Sequence, residues 1–421
     1  MSDPTAGPDH PSRAGRADGE RSPVFSRRTL LLLAGGGAIG VPAAVLVATR
    51  GGDVAGRTER GTALPRRLIH PFWTTPLPAD VPLAATSQDY VARLTAQAGL
   101  TSTTSPVAFP YDVPFNVVVL STDYSLCIYT MPEDWPRTPV WSRRSKEGLQ
   151  EVLGRGVPVP DPADLPDGEI APAGTDGATI ILQGDELWEL WQFAPGGPDG
   201  FDWSCEQGGY MRNYGEHPGW WAGSPAFGGG TPPRVLGDDW GVSACGQSYL
   251  GGILTAEDFY GDAIEHPLPL ALPITGGGTS TPTHVLPATR YDQLNFTYAS
   301  DDEADRLRLP EGVRYRLPHS FDIEAWVEQR ALPEPSAEGS TAEVLRKVLV
   351  CLRDYGLFVA ESSGVVGFTA EHEKVFGTPY HPFTAEQRPQ WGNFGQQIPW
   401  SDLVQLEPPE VDVSVPGAGA V

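Results

Sequence analysis

Apolar residues fall along this chain in short runs separated by segments rich in glycine and proline, and no long helical periodicity links them. The first helix-like pattern places Tyr90, Val91 and Leu94 on one stripe behind Ser87, a residue suited to an N-cap. Phe115 to Leu120 is a compact apolar run; after a Ser121-Thr122-Asp123 turn it leads to Leu126 to Thr130, which predicts a hairpin. A basic helix is expected over Arg143 to Leu153, ending at Gly154. The clearest local signal is a second hairpin, in which Thr179 to Leu182 turns through Gln183-Gly184-Asp185 into Glu186 to Phe193. Alternation along that second strand puts Trp188 and Leu190 on one face and Glu189, Trp191 and Phe193 on the other. Ala194 to Gly241 reads as irregular, and strands are expected at Pro267 to Leu272 and Arg314 to Leu317. Ser340 and Glu343 have capping-box spacing ahead of a helix to Tyr355, with Gly356 at C′ and strands at Leu357 to Ala360 and Val365 to Thr369.

Composition sharpens this picture. The 421 residues include 49 Gly and 43 Pro, the two poorest residues for helix interiors, so coiled coils and long helical bundles are excluded. Twelve Trp within an aromatic share of 10% exclude a mainly disordered chain. Many short strands with few helices predict a β-sandwich with helices at its ends. A formal net charge of −24 opposes binding to nucleic acid and to anionic lipid surfaces, and also to polyanionic substrates. Cys127, Cys205, Cys245 and Cys351 contain no C-x-x-C pair, so they fit either one or two disulfides or four buried thiols.

The N-terminal 60 residues read as an address. Ser26-Arg27-Arg28-Thr29-Leu30-Leu31 and the glycine-rich apolar stretch to Ala48 resemble a twin-arginine export signal. The stretch is long enough to span a bilayer, which leaves a membrane tether through an uncleaved signal open beside full release. The expected organisation is a signal and flexible linker over 1–60, one β-sandwich domain over 61–410, and a disordered tail over 411–421. The location that follows is outside the cytoplasmic membrane, extracellular or bound to the cell envelope.

Candidate chemistry is concentrated in the middle of the chain. Trp188, Trp191, Trp203, Trp220, Trp221 and Trp240 lie close in sequence to Tyr210 and Tyr214, with Glu206, Glu216, Asp238 and Asp239 among many glycines. Indole faces stack on sugar rings, carboxylates bond hydroxyls, and glycines let backbone approach a ligand, so the partner suggested is a polysaccharide or cell-wall glycan. Trp191, Trp220, Trp221, Trp240 and Tyr214 are the candidate substrate-binding residues, and the Trp220-Trp221 pair, in a loop-like segment, is expected to be exposed. Glu189, sharing a face with aromatic rings, has the apolar setting that raises a carboxyl pKa and suits a general acid. Asp239 or Glu206 would be its partner carboxylate, and His266, beside Glu265 and ahead of an apolar strand, a supporting base or proton shuttle. Glu371-His372-Glu373 has metal-ligand residue types but reads as a solvated loop, and no metal or cofactor is expected. No phosphate-binding loop, dinucleotide fingerprint or G-x-S-x-G elbow occurs.

Gly241 to Leu254, followed by Glu257-Asp258 and Ile264-Glu265-His266-Pro267-Leu268, resembles a family of exported bacterial β-sandwich proteins of largely unassigned function. Leu187-Trp188-Glu189-Leu190-Trp191, Leu286-Pro287-Ala288 before Asp292, Leu309-Pro310-Glu311-Gly312, Arg316-Leu317-Pro318 and Tyr355 to Ala360 match it in order. The resemblance spans about Thr179 to Ala360, departing where Pro267 replaces Ala and where Cys245 and Cys351 replace small apolar residues. It implies a mainly β, jelly-roll-like antiparallel β-sandwich with a few peripheral helices, an exported location and action on glycans. Two activities stay open: a polysaccharide-cleaving hydrolase or lyase, and a non-catalytic polysaccharide-binding or structural envelope protein.

Overall fold

The computed structural model describes residues 67–99, 118–120, 125–144, 147–165, 168–172, 175–221, 241–255, 257–258, 261–276, 283–291, 305–330, 341–363, 366–372, 375 and 397–408. The export segment 1–60, the Ser121-Thr122-Asp123 turn, Ser340 and the tail 411–421 lie outside the described residues. Among the described residues strands outweigh helices, and the strands form three sheets. The largest contains β1 (Val118–Leu120), β12 (Gly367–Thr369), β9 (Leu268–Leu272), β11 (Leu357–Ser362), β10 (Arg314–Arg316) and β13 (Val404–Gln405), in that order across the sheet. A second has the order β2 (Cys127–Met131), β4 (Thr179–Gln183), β5 (Glu186–Trp191) and β8 (Gln207–Arg212). The third joins β3 (Val140–Ser142), β7 (Trp203–Cys205) and β6 (Ala194–Pro195).

Layering follows from the two faces of each strand. Leu268, Leu270, Leu357, Val359 and Tyr315 turn one face of the large sheet toward the helices α2 (Ser87–Ala98), α4 (Ile323–Glu328) and α5 (Thr341–Asp354). On α5, Val344, Leu345, Val348, Leu349 and Leu352 form the helical stripe that seals this core, each fully buried residue contributing roughly 1.5–3 kcal/mol. From the opposite face Phe358 and Ala360 enter a second core with Ile180, Leu182, Leu187 and Met211 of the four-stranded sheet. The far face of that sheet, with Ile181, Trp188 and Tyr210, packs on α3 (Glu147–Arg155).

These are mixed sheets, which corrects the expected antiparallel jelly-roll sandwich. β1 runs parallel to β12, β9 to β11, β2 to β4 and β3 to β7. The cause is the connections: α4 and α5 lie between β9 and β11, and β3 and α3 between β2 and β4, and crossovers of this length permit parallel pairing. The first expected hairpin is absent, since β1 and β2 belong to different sheets. The second stands in register, with Ile180 opposite Glu189 and Leu182 opposite Leu187. Its alternation ends early, because Gln192 adopts φ 51° and Phe193 joins Trp188 and Leu190 instead of the Glu189 face. At the first long helix the N-cap is Thr86, while the Ser87 hydroxyl accepts the Gln405 N–H at 2.9 Å.

The segment read as irregular holds β7 and β8. Gly208 and Gly209, which argue against a strand in sequence, are what let β8 lie against β5. A Cβ on Gly208 would stand 2.5 Å from the Glu189 carbonyl oxygen. Gly208→Ala should therefore displace β8 and cost about 3 kcal/mol in urea unfolding; a loss within about 0.5 kcal/mol would contradict this register.

Candidate functional site

Two carboxylates anchor one loop. Glu189 reaches the second core from the middle of β5, opposite Gly209 of β8. The segment 241–251 folds over it, beginning at Gly241, whose φ of +71° no β-branched residue would adopt readily. The N–H of Val242 donates to Glu189 Oε2 at 3.1 Å, and the Ser248 hydroxyl donates to Oε1. Ser248 also caps the 3₁₀ turn Tyr249–Gly251 by accepting the Leu250 N–H at 3.2 Å. Glu361 holds the same loop from the other sheet: its Oε2 accepts the Ala244 N–H at 3.1 Å and its Oε1 the Tyr249 hydroxyl. Arg290 fastens the loop's outer turn through the carbonyls of Ala244 (2.7 Å) and Ser243 (2.9 Å).

Burial sets the chemistry of both acids. Glu189 is 0% exposed, and loss of hydration raises its pKa to about 7 against the opposing pull of its donors. Glu361 is half-buried, and its pKa is raised first by desolvation and further by the charge of Asp176. Asp176 is exposed, adopts φ 54°, and accepts the Gln192 N–H on its carbonyl at 3.1 Å. Strained residues of this kind concentrate at functional sites. Asp176 and the half-buried Trp191 beside Gln192 thus lie at one end of the β4–β5 pair, and the charge of Asp176 reaches Glu361 of the other sheet.

The sequence-predicted residues divide. Glu189, Trp191, Trp221 and Tyr214 border the second core together. Trp220 and Trp221, expected to be an exposed pair, are 4% and 0% exposed, and Tyr214 is 2% exposed, so none of the three offers a face to a ligand. The nearby glycines make room for indoles rather than for sugars: Gly209 and Gly241 abut the Trp221 ring, and Gly219 and Gly251 abut Trp73. Trp188 is buried as well, Trp203 is half-buried and stacks on Phe193 at 5.2 Å, and Asp239 and Trp240 lie outside the described residues. Glu206 is not a partner for Glu189; it stands at the turn between β7 and β8 with Arg144 Nε at 2.7 Å and Arg143 Nη1 at 3.7 Å. His266 belongs to a separate buried pair, its Nε2 3.2 Å from Asp258 Oδ2 and its Nδ1 3.1 Å from the Pro267 carbonyl. The pair is closed by the Thr255 N–H and hydroxyl, which donate to Asp258 Oδ2 at 2.7 and 2.8 Å.

Glu371 and His372 are buried rather than solvated, and Glu373 lies outside the described residues. Among the described residues no group of three or more His, Cys, Asp or Glu is placed to hold a metal ion. The four cysteines are buried free thiols, and desolvation raises Cys127 and Cys205 to about 12. No helix of the described residues is long and apolar enough to cross a membrane. Sequence reasoning missed Glu361 because its strand was expected to stop at Ala360; a register shift between Val359 and Ser362 interrupts the alternation there. No family model, curated protein or solved structure matches the chain.

A raised carboxyl pKa means that the folded state holds the proton more tightly than the unfolded one. The stabilisation from Glu189 is therefore complete below its unfolded value of 4.5 and is lost as pH rises through about 7, with Glu361 acting in the same direction. Glu189→Gln keeps an acceptor for Val242 and lets Ser248 reverse its bond, so urea unfolding should show a flatter stability profile between about pH 5 and pH 8. Glu189→Ala should cost about 2–4 kcal/mol throughout, and an unchanged pH slope in Glu189→Gln would contradict the assignment.

Proposed function

We propose that the protein is exported and interacts with carbohydrate, and that it is a polysaccharide-cleaving hydrolase or lyase. Its acid work falls to Glu361 and Asp176 rather than to Glu189 with Glu206. The observation that carries this reading is the pairing of a half-buried carboxyl of raised pKa with a second carboxylate at the surface. A glycosidase needs one carboxyl held protonated to donate to the leaving oxygen and a second, ionised one as base or nucleophile. Glu361 suits the first task, because burial favours its neutral form and Tyr249 fixes its orientation. Asp176, exposed and near enough for its charge to act on Glu361, takes the second; partial burial raises its own pKa, without the further push that Glu361 receives. Glu189 then supports the loop that carries Tyr249, and Trp191, half-buried and next to the Gln192 that bonds Asp176, is the candidate stacking surface. Export rests on the Arg27-Arg28 segment and its apolar continuation, with release or a membrane tether as its two outcomes.

A second reading, a non-catalytic polysaccharide-binding or structural envelope protein, is favoured by a different observation. All four oxygens of Glu189 and Glu361 already accept hydrogen bonds from the 242–249 segment, as structural anchors do. The two readings separate in one experiment. The purified protein is incubated with neutral and charged polysaccharides, and new reducing ends and unsaturated products are measured. Turnover should fall at least about 10²-fold in Glu361→Gln and in Asp176→Asn, with binding retained. Binding without turnover supports the binding protein, and neither binding nor turnover supports the structural one.

A further inference from the structure

The first described segment, 67–78, lies as a strap across the second core. The Leu68 N–H reaches the Leu250 carbonyl at 3.3 Å, Trp73 Nε1 reaches the Pro218 carbonyl at 2.7 Å, and the Leu77 N–H reaches the Asp354 carbonyl at 2.6 Å. The Trp73 ring fills the slot left by Gly219 and Gly251. Two half-buried imidazoles stand where strap and body meet. His70 is the N-cap of α1 (Pro71–Thr74), and its Nδ1 accepts the Phe72 N–H at 3.2 Å. His217 does the same in the facing turn, its Nδ1 accepting the Gly219 N–H at 3.1 Å. Each ring rests on an indole of the 220–221 pair, His70 on Trp220 and His217 on Trp221, with centroids 6.4 Å apart in both cases.

An Nδ1 that accepts a backbone N–H cannot carry a proton of its own, so the His70 ring must be neutral for its turn to close. We propose that His70 is a proton-operated latch facing the His217 turn: the strap is fastened at neutral pH and lifts from the Pro218–Trp220 edge in mild acid, when the His70 imidazole takes up a proton. Protonation removes the acceptor that caps α1. Burial first, and then the proximity of His217, lower the pKa of His70 below its ordinary 6.5. The sign follows: the closed strap gains from the neutral ring above about pH 6.5, and that gain is lost as pH falls below it. Among the described residues, the other charged groups around the strap are Glu216 in the His217 turn, Arg67 with Asp258, Arg314 over the Phe72 ring at 5.5 Å, Arg316 on the Pro78 carbonyl at 2.7 Å, and Asp354 beneath Leu77.

Hydrogen exchange of the full chain tests this, corrected for the intrinsic pH dependence of exchange. Between about pH 7.5 and pH 5, opening of amides 72, 73 and 219 should increase by up to about tenfold per pH unit for each proton taken up. Amides of β4 and β5 should not follow, because Glu189 and Glu361 strengthen the fold in that direction. His70→Asn supplies a side-chain acceptor that does not titrate, and this variant should open to the same extent at both pH values. Uniform protection of the wild-type strap across this range, or an undiminished pH response in His70→Asn, would overturn the latch.

Discussion

The structure depends on two carboxylates that hold a loop, one of them, Glu189, taken fully out of water. Glu189 from one sheet and Glu361 from the other both accept backbone and hydroxyl donors from 242–249, a segment with little regular structure of its own. An ionised carboxylate in that position carries a desolvation cost of several kcal/mol, which its hydrogen bonds offset in part. The residual cost appears as the raised pKa of Glu189. Everything near the candidate site follows from this compromise: the loop's position sets Tyr249 against Glu361, and the tight turns at Gly241 and Gly246 leave room for Trp221 and Arg290.

Aromatic residues then serve packing before recognition. Trp73, Trp188 and Trp221 are among the largest fully buried side chains, and they bind the sheets and the N-terminal strap into continuous cores. Glycine next to tryptophan has two physical meanings, a loop that admits a ligand ring or a slot that admits the protein's own indole. Here Gly209, Gly219, Gly241 and Gly251 have the second.

Local patterns were legible in the sequence and long-range ones were not. The hairpin β4–β5 needed only alternation and a glycine turn, and α5 only a stripe and a C′ glycine, now at φ +79°. β1 looked like half of a hairpin because its neighbour in sequence was also strand-like, yet its partner is β12, almost 250 residues away in the chain. No local signal encodes such a pairing. β8 was hidden by glycines whose purpose, close approach to Glu189 and Trp221, appears only once both are placed. Glu189 was found because alternation with aromatics is a genuine cue for a buried acid. Glu361 was missed because a bulge, invisible in composition, redirects it, and Asp176 because its left-handed turn carries no sequence signature beyond the following glycine.

Burial, working against its own hydrogen bonds, holds Glu189 across neutrality. The direct measurement is the infrared carbonyl band of the protonated carboxyl, assigned by its loss in Glu189→Gln and followed through a pH titration of the folded protein. A midpoint near 7 is the result this account requires, whereas titration near the ordinary 4.5 would contradict it.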